Sequence, residues 1–171
     1  MRLILTDRAL RVAGPDDGKT AYVDLTTRKI ARCVGCFGCW TRTPGRCVIR
    51  DDATRIYPLI ARSDTLLYVS RIRYGGYDTV MKTMLERAIP VQQAFIRVVD
   101  GETHHKQRAV VPKRATIVAY GAETPDELEL FRQLIARNAR NMNFTEHRVL
   151  FVREDEVDDT VKQLIATWER S

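Results

Sequence analysis

Four cysteines, Cys33, Cys36, Cys39 and Cys47, are all that the 171-residue chain contains, and they fall in one stretch, CVGCFGCWTRTPGRCVIRDD, from Cys33 to Asp52. The spacing C-x2-C-x2-C-x7-C, with Gly35 and Gly38 between the first three, lets a tight loop turn several thiolates toward one centre, with Cys47 closing the set. Iron–sulfur clusters take four thiolates from compact runs of this kind, whereas zinc sites more often use two separated C-x2-C pairs. The competing reading is four reduced thiols packed as small hydrophobes beside Phe37 and Trp40. A Cys-x-x-Cys pair can also do thiol redox chemistry, but no thioredoxin-like arrangement surrounds this one. His104 and His105 lack a carboxylate or cysteine at metal-site spacing and read as structural or interface residues.

The elements that position this stretch are short and alternate. Apolar runs of strand length occur at Arg2 to Thr6, Tyr22 to Leu25, Thr65 to Ser70, Ala115 to Tyr120 and His147 to Val152. Between the first two, Ala13-Gly14-Pro15-Asp16-Asp17-Gly18 is rich in turn formers and reads as a loop or hairpin, not a helix. Asp51 or Asp52 caps a helix with Ala53, Ile56, Leu59 and Ile60 on one face and Pro58 inside it. Asp78 caps a second helix through Val80, Met81, Met84 and Leu85, which Pro90 stops. Thr124-Pro125-Asp126-Glu127 is a capping box that opens a third, and Val157, Val161, Leu164, Ile165 and Trp168 mark a terminal helix. Val91 to Lys113 is weakly patterned. Strands alternating with helices imply a mainly parallel sheet with helices on both faces. Ligands of such sheets bind beyond the carboxyl ends of the strands, which puts the loops after Thr6, Ser70 and Tyr120 on one rim.

Length fits a single domain over residues 1–171. The balance of 28 Lys plus Arg against 22 Asp plus Glu gives a net charge of +6. The basic residues are scattered (Arg8, Arg11, Arg28, Lys29, Arg71, Arg73, Lys113, Arg114), so there is no tract for nucleic acid; a solvated basic surface or a phosphate-receiving pocket accounts for them equally well. No apolar run approaches the length that spans a membrane. The opening MRLILTDRAL is too short and too charged for a signal peptide, so a cytoplasmic location with reduced thiols is expected.

The cysteine stretch, Cys33-x-Gly-Cys-x-x-Cys-Trp40 and then Gly45-x-Cys47-Val-Ile-x-Asp51-Asp52, resembles the NADPH-dependent FMN reductase and iron–sulfur flavoprotein branch of the flavodoxin-like superfamily. Ser70 to Gly75 followed by Lys82 and Glu86-Arg87 is similar to the family's S-P-x-Y-x-G…K…D-R segment, and Gly101-Glu-Thr-His104-His105-Lys to its G-E-x-H-H-K run. The resemblance implies an α/β three-layer sandwich around a mainly parallel five-stranded sheet, a homodimer, and FMN on the rim receiving electrons from NAD(P)H. In the iron–sulfur members the cysteine set (here Cys33, Cys36, Cys39 and Cys47) holds a four-iron cluster. Two departures fall on the flavin. The family's phosphate loop and first helix are missing or replaced by a short turn-rich loop, which leaves Thr6, Arg8 or Arg11 to hold a phosphate, with Asp7 opposing it. At the isoalloxazine loop, Arg71 and Arg73 stand where Pro and Tyr are expected.

The cofactor-binding residues expected from this resemblance are Thr6, Arg8, Ser70, Arg71, Ile72, Arg73, Tyr74, Gly75, Gly76 and Gly121, with Tyr74 stacking on the flavin ring; no catalytic residue is assigned. The leading expectation is an FMN-dependent oxidoreductase of the NAD(P)H:FMN reductase kind. The alternatives are an iron–sulfur electron carrier, and a flavodoxin-like module that has lost FMN and serves as a subunit or binding partner.

Overall fold

The computed structural model of the chain describes every residue except Ala13, Asp16, Arg170 and Ser171. Five strands run parallel: β1 (Arg2–Thr6), β2 (Thr20–Asp24), β3 (Thr65–Arg73), β7 (Lys113–Tyr120) and β8 (Phe144–Val152). Their order is β2-β1-β3-β7-β8, which is 2-1-3-4-5 when only the parallel strands are counted, the flavodoxin-like order of doubly wound sheets. β3 outruns its neighbours and folds back through β4 (Gly76–Tyr77), which pairs with it antiparallel. A separate antiparallel hairpin is built from β5 (Gln92–Val99) and β6 (Glu102–Gln107).

Strand alternation sends successive residues to opposite faces of the sheet. Leu3, Leu5, Leu66, Tyr68, Ile117 and Ala119 face one core, closed by helices α2 (Ala53–Arg62), α3 (Thr79–Glu86) and α4 (Pro125–Asn141) through Ile56, Ile60, Met81, Met84, Phe131 and Ile135. Ile4, Leu67, Val69, Val118 and Tyr120 face the other, closed by α5 (Val157–Glu169) through Val157, Val161, Leu164 and Ile165. On that second face no helix joins β1 to β2 among the described residues; the linker lays Leu10 and Val12 against the core instead, beside Tyr22. The turn-rich run at Ala13 to Gly18 therefore connects parallel strands and is not a hairpin, with Ala13 and Asp16 themselves outside the described residues.

Local sequence signals specify most helix starts. The Asp78 side chain accepts from the Thr79 amide, and Thr124 with Glu127 completes a reciprocal capping box ahead of α4. α2 holds Pro58 within it and buries Ala53, Ile56, Tyr57 and Ile60. Two expectations need correction. The third strand does not end in a loop at Ser70, because β3 continues to Arg73 and its hairpin partner. The weakly patterned Val91 to Lys113 segment contains the β5–β6 hairpin, which lies against α4 through polar contacts; Gln107 Nε2 donates to Asn141 O, and the buried His104 ring meets Asn141 Oδ1 at 2.9 Å and Glu102 Oε2 at 3.1 Å. No described helix is long and apolar enough to cross a membrane.

Lys113 is buried at the start of β7, its ammonium donating to Val111 O and, at 3.4 Å, to Ala61 O near the C-terminal end of α2, where the helix dipole favours a cation. Burial nonetheless pushes its pKa down to about 8, with Asp64 pulling it partly back. The folded chain thus holds this proton less tightly than the unfolded one, so stability rises as pH climbs through about 8 toward the ordinary lysine value. The half-buried thiol of Cys39 and the buried phenols of Tyr68 and Tyr77 are shifted upward and act in the opposite sense only above about pH 9. The melting temperature should therefore increase between about pH 7.5 and pH 9, and in Lys113→Met that increase should be lost; a pH series of thermal melts on both proteins checks it.

Candidate functional site

The carboxyl ends of β1, β3 and β7 are tied together by one side chain. Asp7 follows β1 and its amide donates to Val69 O at 3.1 Å. Its Oδ2 accepts from Ser70 Oγ at 2.7 Å and from the Arg71 amide at 2.9 Å, and its Oδ1 accepts from the Tyr120 hydroxyl at 3.0 Å. Burial pushes the Asp7 carboxyl above its ordinary value, and these donors offset only part of that. Thr6 is fully buried, and its hydroxyl closes a local turn by donating to Arg8 O at 2.8 Å and accepting from the Arg8 amide at 3.2 Å.

Above Asp7 the Tyr120 ring carries two arginines, with the Arg8 and Arg71 guanidinium carbons 5.4 and 5.5 Å from its centroid, a cation–π arrangement. Both reach Glu154 in the turn after β8: Arg71 Nη2 donates to Oε2 at 2.9 Å, and Arg8 Nη1 lies 3.7 Å from Oε1. Gly121 makes room for this, since a Cβ there would stand 3.1 Å from Arg71 Cγ.

The expected cofactor residues divide into two groups. Thr6, Arg8, Ser70, Arg71 and Gly121 gather in this cluster. Arg73, Tyr74, Gly75 and Gly76 form the β3–β4 hairpin tip, which sits over α4, where the backbone at Tyr74 and Gly75 faces the Glu127 carboxylate and Gly75 abuts Leu130. Tyr74 is 88% exposed, with the Arg73 guanidinium 5.8 Å from its ring. Ile72 is buried in the core, which leaves only its backbone to a ligand. Tyr120 and Glu154 were not singled out from sequence as partners of the arginines; only the parallel register brings them together.

For a flavin, the rim offers an exposed aromatic ring at Tyr74 and close backbone approach at Gly121. Its phosphate end differs from the usual one. No helix N-terminus follows β1 among the described residues, and the amides of Asp7, Arg8 and Arg11 already donate to Val69 O, Thr6 Oγ1 and Asp158 Oδ1. Guanidinium groups are the cationic donors that remain.

The cysteines lie on the loop before α2, which contains one helical turn, α1 (Gly38–Thr41). Gly38 lets this loop close on itself, because a Cβ there would lie 2.7 Å from Val48 Cγ1 and 3.5 Å from Cys36 Sγ. Cys39 is central to the set; burial first, and then the thiols of Cys47, Cys33 and Cys36, push its pKa up. Among the described residues no three His, Cys, Asp or Glu side chains converge closely enough to hold a metal ion, so the donor chemistry suits a cluster while the thiols stand apart. Trp40 anchors the loop by donating Nε1 to Gln92 O at 3.0 Å and packs on His105 with ring centroids 4.7 Å apart.

What closes the neck of this loop is Arg87, just past α3 and 1% exposed. Its guanidinium grips Asp51 with Nη1 to Oδ2 at 2.7 Å and Nη2 to Oδ1 at 2.9 Å, and donates to Ala31 O at 2.7 Å and Ile49 O at 3.2 Å. Asp51 accepts in turn from the Ala31 amide at 2.8 Å, and Asp52 from the Lys29 amide at 2.8 Å. Burial alone would raise the Asp51 carboxyl; Arg87 and the backbone amides more than offset it, leaving it below the ordinary value. Sequence showed the aspartates as helix caps and Arg87 only within a motif, and nothing local in the chain joins positions 36 apart.

No protein-family model matches the chain. In sequence it is similar to an iron–sulfur flavoprotein of Archaeoglobus fulgidus, 30% identical over 86 residues covering 50% of this chain and 38% of that protein. It is also similar to one of Methanocaldococcus jannaschii, 25% identical over 92 residues covering 54% and 47%. The match thus spans less than half the length of either relative. In structure it resembles an FMN-dependent NADH-azoreductase of Bacillus anthracis, solved in complex with FMN, with a TM-score of 0.58 over 99% of this chain and 97% of that one at 9% identity; at that identity the likeness shows the fold, which is flavodoxin-like.

The Arg87 clamp gives a direct expectation. Removing one partner of a buried, hydrogen-bonded ion pair costs about 3–5 kcal/mol, so Arg87→Met should lower unfolding stability by that order in urea melts. Under native conditions it should also speed trypsin cleavage of the loop at Arg32, Arg42, Arg46 and Arg50 relative to the wild type, as read by a digestion time course.

Proposed function

We propose that the chain is an FMN-dependent oxidoreductase of the NAD(P)H:FMN reductase kind, taking electrons from a nicotinamide cofactor through flavin to an acceptor, and acting as a cytoplasmic homodimer. The observation that carries this reading is the parallel order 2-1-3-4-5 with the loops after β1, β3 and β7 gathered on one rim, the place where flavodoxin-like sheets take FMN. The sequence similarity to iron–sulfur flavoproteins points the same way.

The roles follow from the side chains present. Tyr74, exposed at the hairpin tip, is placed to stack on an isoalloxazine ring. The backbone at Arg71 to Gly76 and Gly121 supplies the close approach that ring edges need. Arg71 and Arg8 bring positive charge to the rim, which suits the anionic phosphate end of FMN. When bound, FMN would supply the hydride-accepting chemistry, and the protein's part is position, electrostatics and exclusion of water.

A second reading adds a four-iron cluster on Cys33, Cys36, Cys39 and Cys47 as an electron relay. It is favoured by the placement of all four thiols on one loop whose neck is clamped and by the similarity to iron–sulfur flavoproteins.

Titration with FMN should quench flavin fluorescence with saturation, and NAD(P)H under argon should then bleach the bound flavin. Tyr74→Ala should weaken FMN binding by roughly 3- to 10-fold. The flavin reading is lost if equilibrium dialysis at physiological FMN shows no uptake. For the cluster, anaerobic reconstitution should yield iron and labile sulfide in near-equal amounts, and neither should remain in the Cys36→Ala, Cys39→Ala double variant.

A further inference from the structure

We propose that Arg8 and Arg71 form an anion site selective for a phosphate group, which the Glu154 carboxylate occupies in the free protein and vacates when a phosphorylated ligand arrives. The proposal deepens the flavin reading, on which the choice of FMN as ligand rests.

The arginines come from two different strand ends and share one Tyr120 ring and one carboxylate. Their backbones are anchored. Arg8 is held at both its amide and its carbonyl by Thr6 Oγ1, the Arg71 amide donates to Asp7, and the stem of Arg71 passes Gly121, where a Cβ would stand 3.1 Å from its Cγ. The guanidinium groups are therefore presented by rigid elements, which is what recognition of a tetrahedral anion needs. The backbone amides of Asp7, Arg8 and Arg11 after β1 already have internal acceptors, so those three are not offered to the anion.

Glu154 is held less firmly than the groups it meets. Its side chain is 55% exposed, and it sits in a single 3₁₀ turn, Glu154–Glu156. Ion pairs this exposed hold weakly. A phosphate brings about twice the charge and three acceptor oxygens to the same two guanidinium groups, so it displaces a lone carboxylate. Asp7 lies beneath and is an acidic group that could repel the newcomer. Its two oxygens already accept from Ser70, Arg71 and Tyr120, so much of its charge is taken up inside the protein. The neighbouring acids are engaged elsewhere: Asp155 and Glu156 pair with Arg153, and Asp158 accepts from the Arg11 amide.

The test uses the full chain with three probes, FMN, riboflavin and inorganic phosphate, read by fluorescence titration and thermal shift in wild type, Glu154→Gln and Arg71→Met. Wild type should bind FMN about tenfold more tightly than riboflavin. Glu154→Gln should tighten FMN several-fold and increase protection by phosphate, with riboflavin unchanged. Arg71→Met should erase the preference for FMN; should that variant not fold, Glu154→Gln alone decides. Equal binding of FMN and riboflavin, insensitive to Glu154→Gln, overturns the anion site and leaves the flavin reading standing. Protection by phosphate that grows in Glu154→Gln while neither flavin binds upholds the site and ends the flavin reading. No protection by any probe ends both.

Discussion

A carboxylate withdrawn from water must be surrounded by donors or it will not stay charged. Asp7 meets that demand with a hydroxyl and an amide from β3 and a phenol from β7, so a single residue after β1 sets how three strand ends lie relative to one another. The consequences spread outward. Tyr120 is held by its hydroxyl, and Arg8 and Arg71 lie against its ring and share Glu154. In most doubly wound folds a helix N-terminus supplies the order, and the charge, at this position. Here side chains supply both.

The second organising contact is Arg87 with Asp51. Because the guanidinium also takes the carbonyls of Ala31 and Ile49, it joins the entry and exit of the cysteine loop and holds them on the end of α3. The loop is thus fixed at its base, while its interior, with Phe37 and Val34 exposed, is left to its own packing. Trp40 supplies a second anchor, on the β5–β6 hairpin. Whatever chemistry the thiols do, they do it on a loop whose neck does not move.

Much of the fold could be read from the chain because it rests on local rules. Continuous apolar runs gave the three central strands, and Thr124 to Glu127 gave the start of α4 by its reciprocal hydrogen bonds. The missing first helix was legible in the turn formers after Val12. The β5–β6 hairpin was not, because its exposed Phe95, Ile96 and Val98 and its polar inner contacts, His104 with Asn141 above all, carry no clean alternation. The rim residues were found from loop positions, yet their partners were hidden. Asp7 read as a residue that would oppose a phosphate, whereas in place it organises the groups around it. Glu154 and Tyr120 lie far from Arg8 in sequence, and only strand register brings them within reach.

That no helix joins β1 to β2 among the described residues bears on how stability is distributed. Elsewhere each parallel strand is backed by a helix that buries a stripe of large side chains against it. β2 has β1 alone as a strand partner; Val23 and the following Leu25 join the core closed by α2 and α3, but on its other face the linker's Leu10 and Val12 are the cover. Opening this edge exposes less apolar surface than opening an inner strand, so it is a unit of low local free energy in the sheet. The rim is built on β1, which a paired β3 keeps in place when β2 detaches. The molecule can therefore fray at its edge while its ligand-facing end stays assembled.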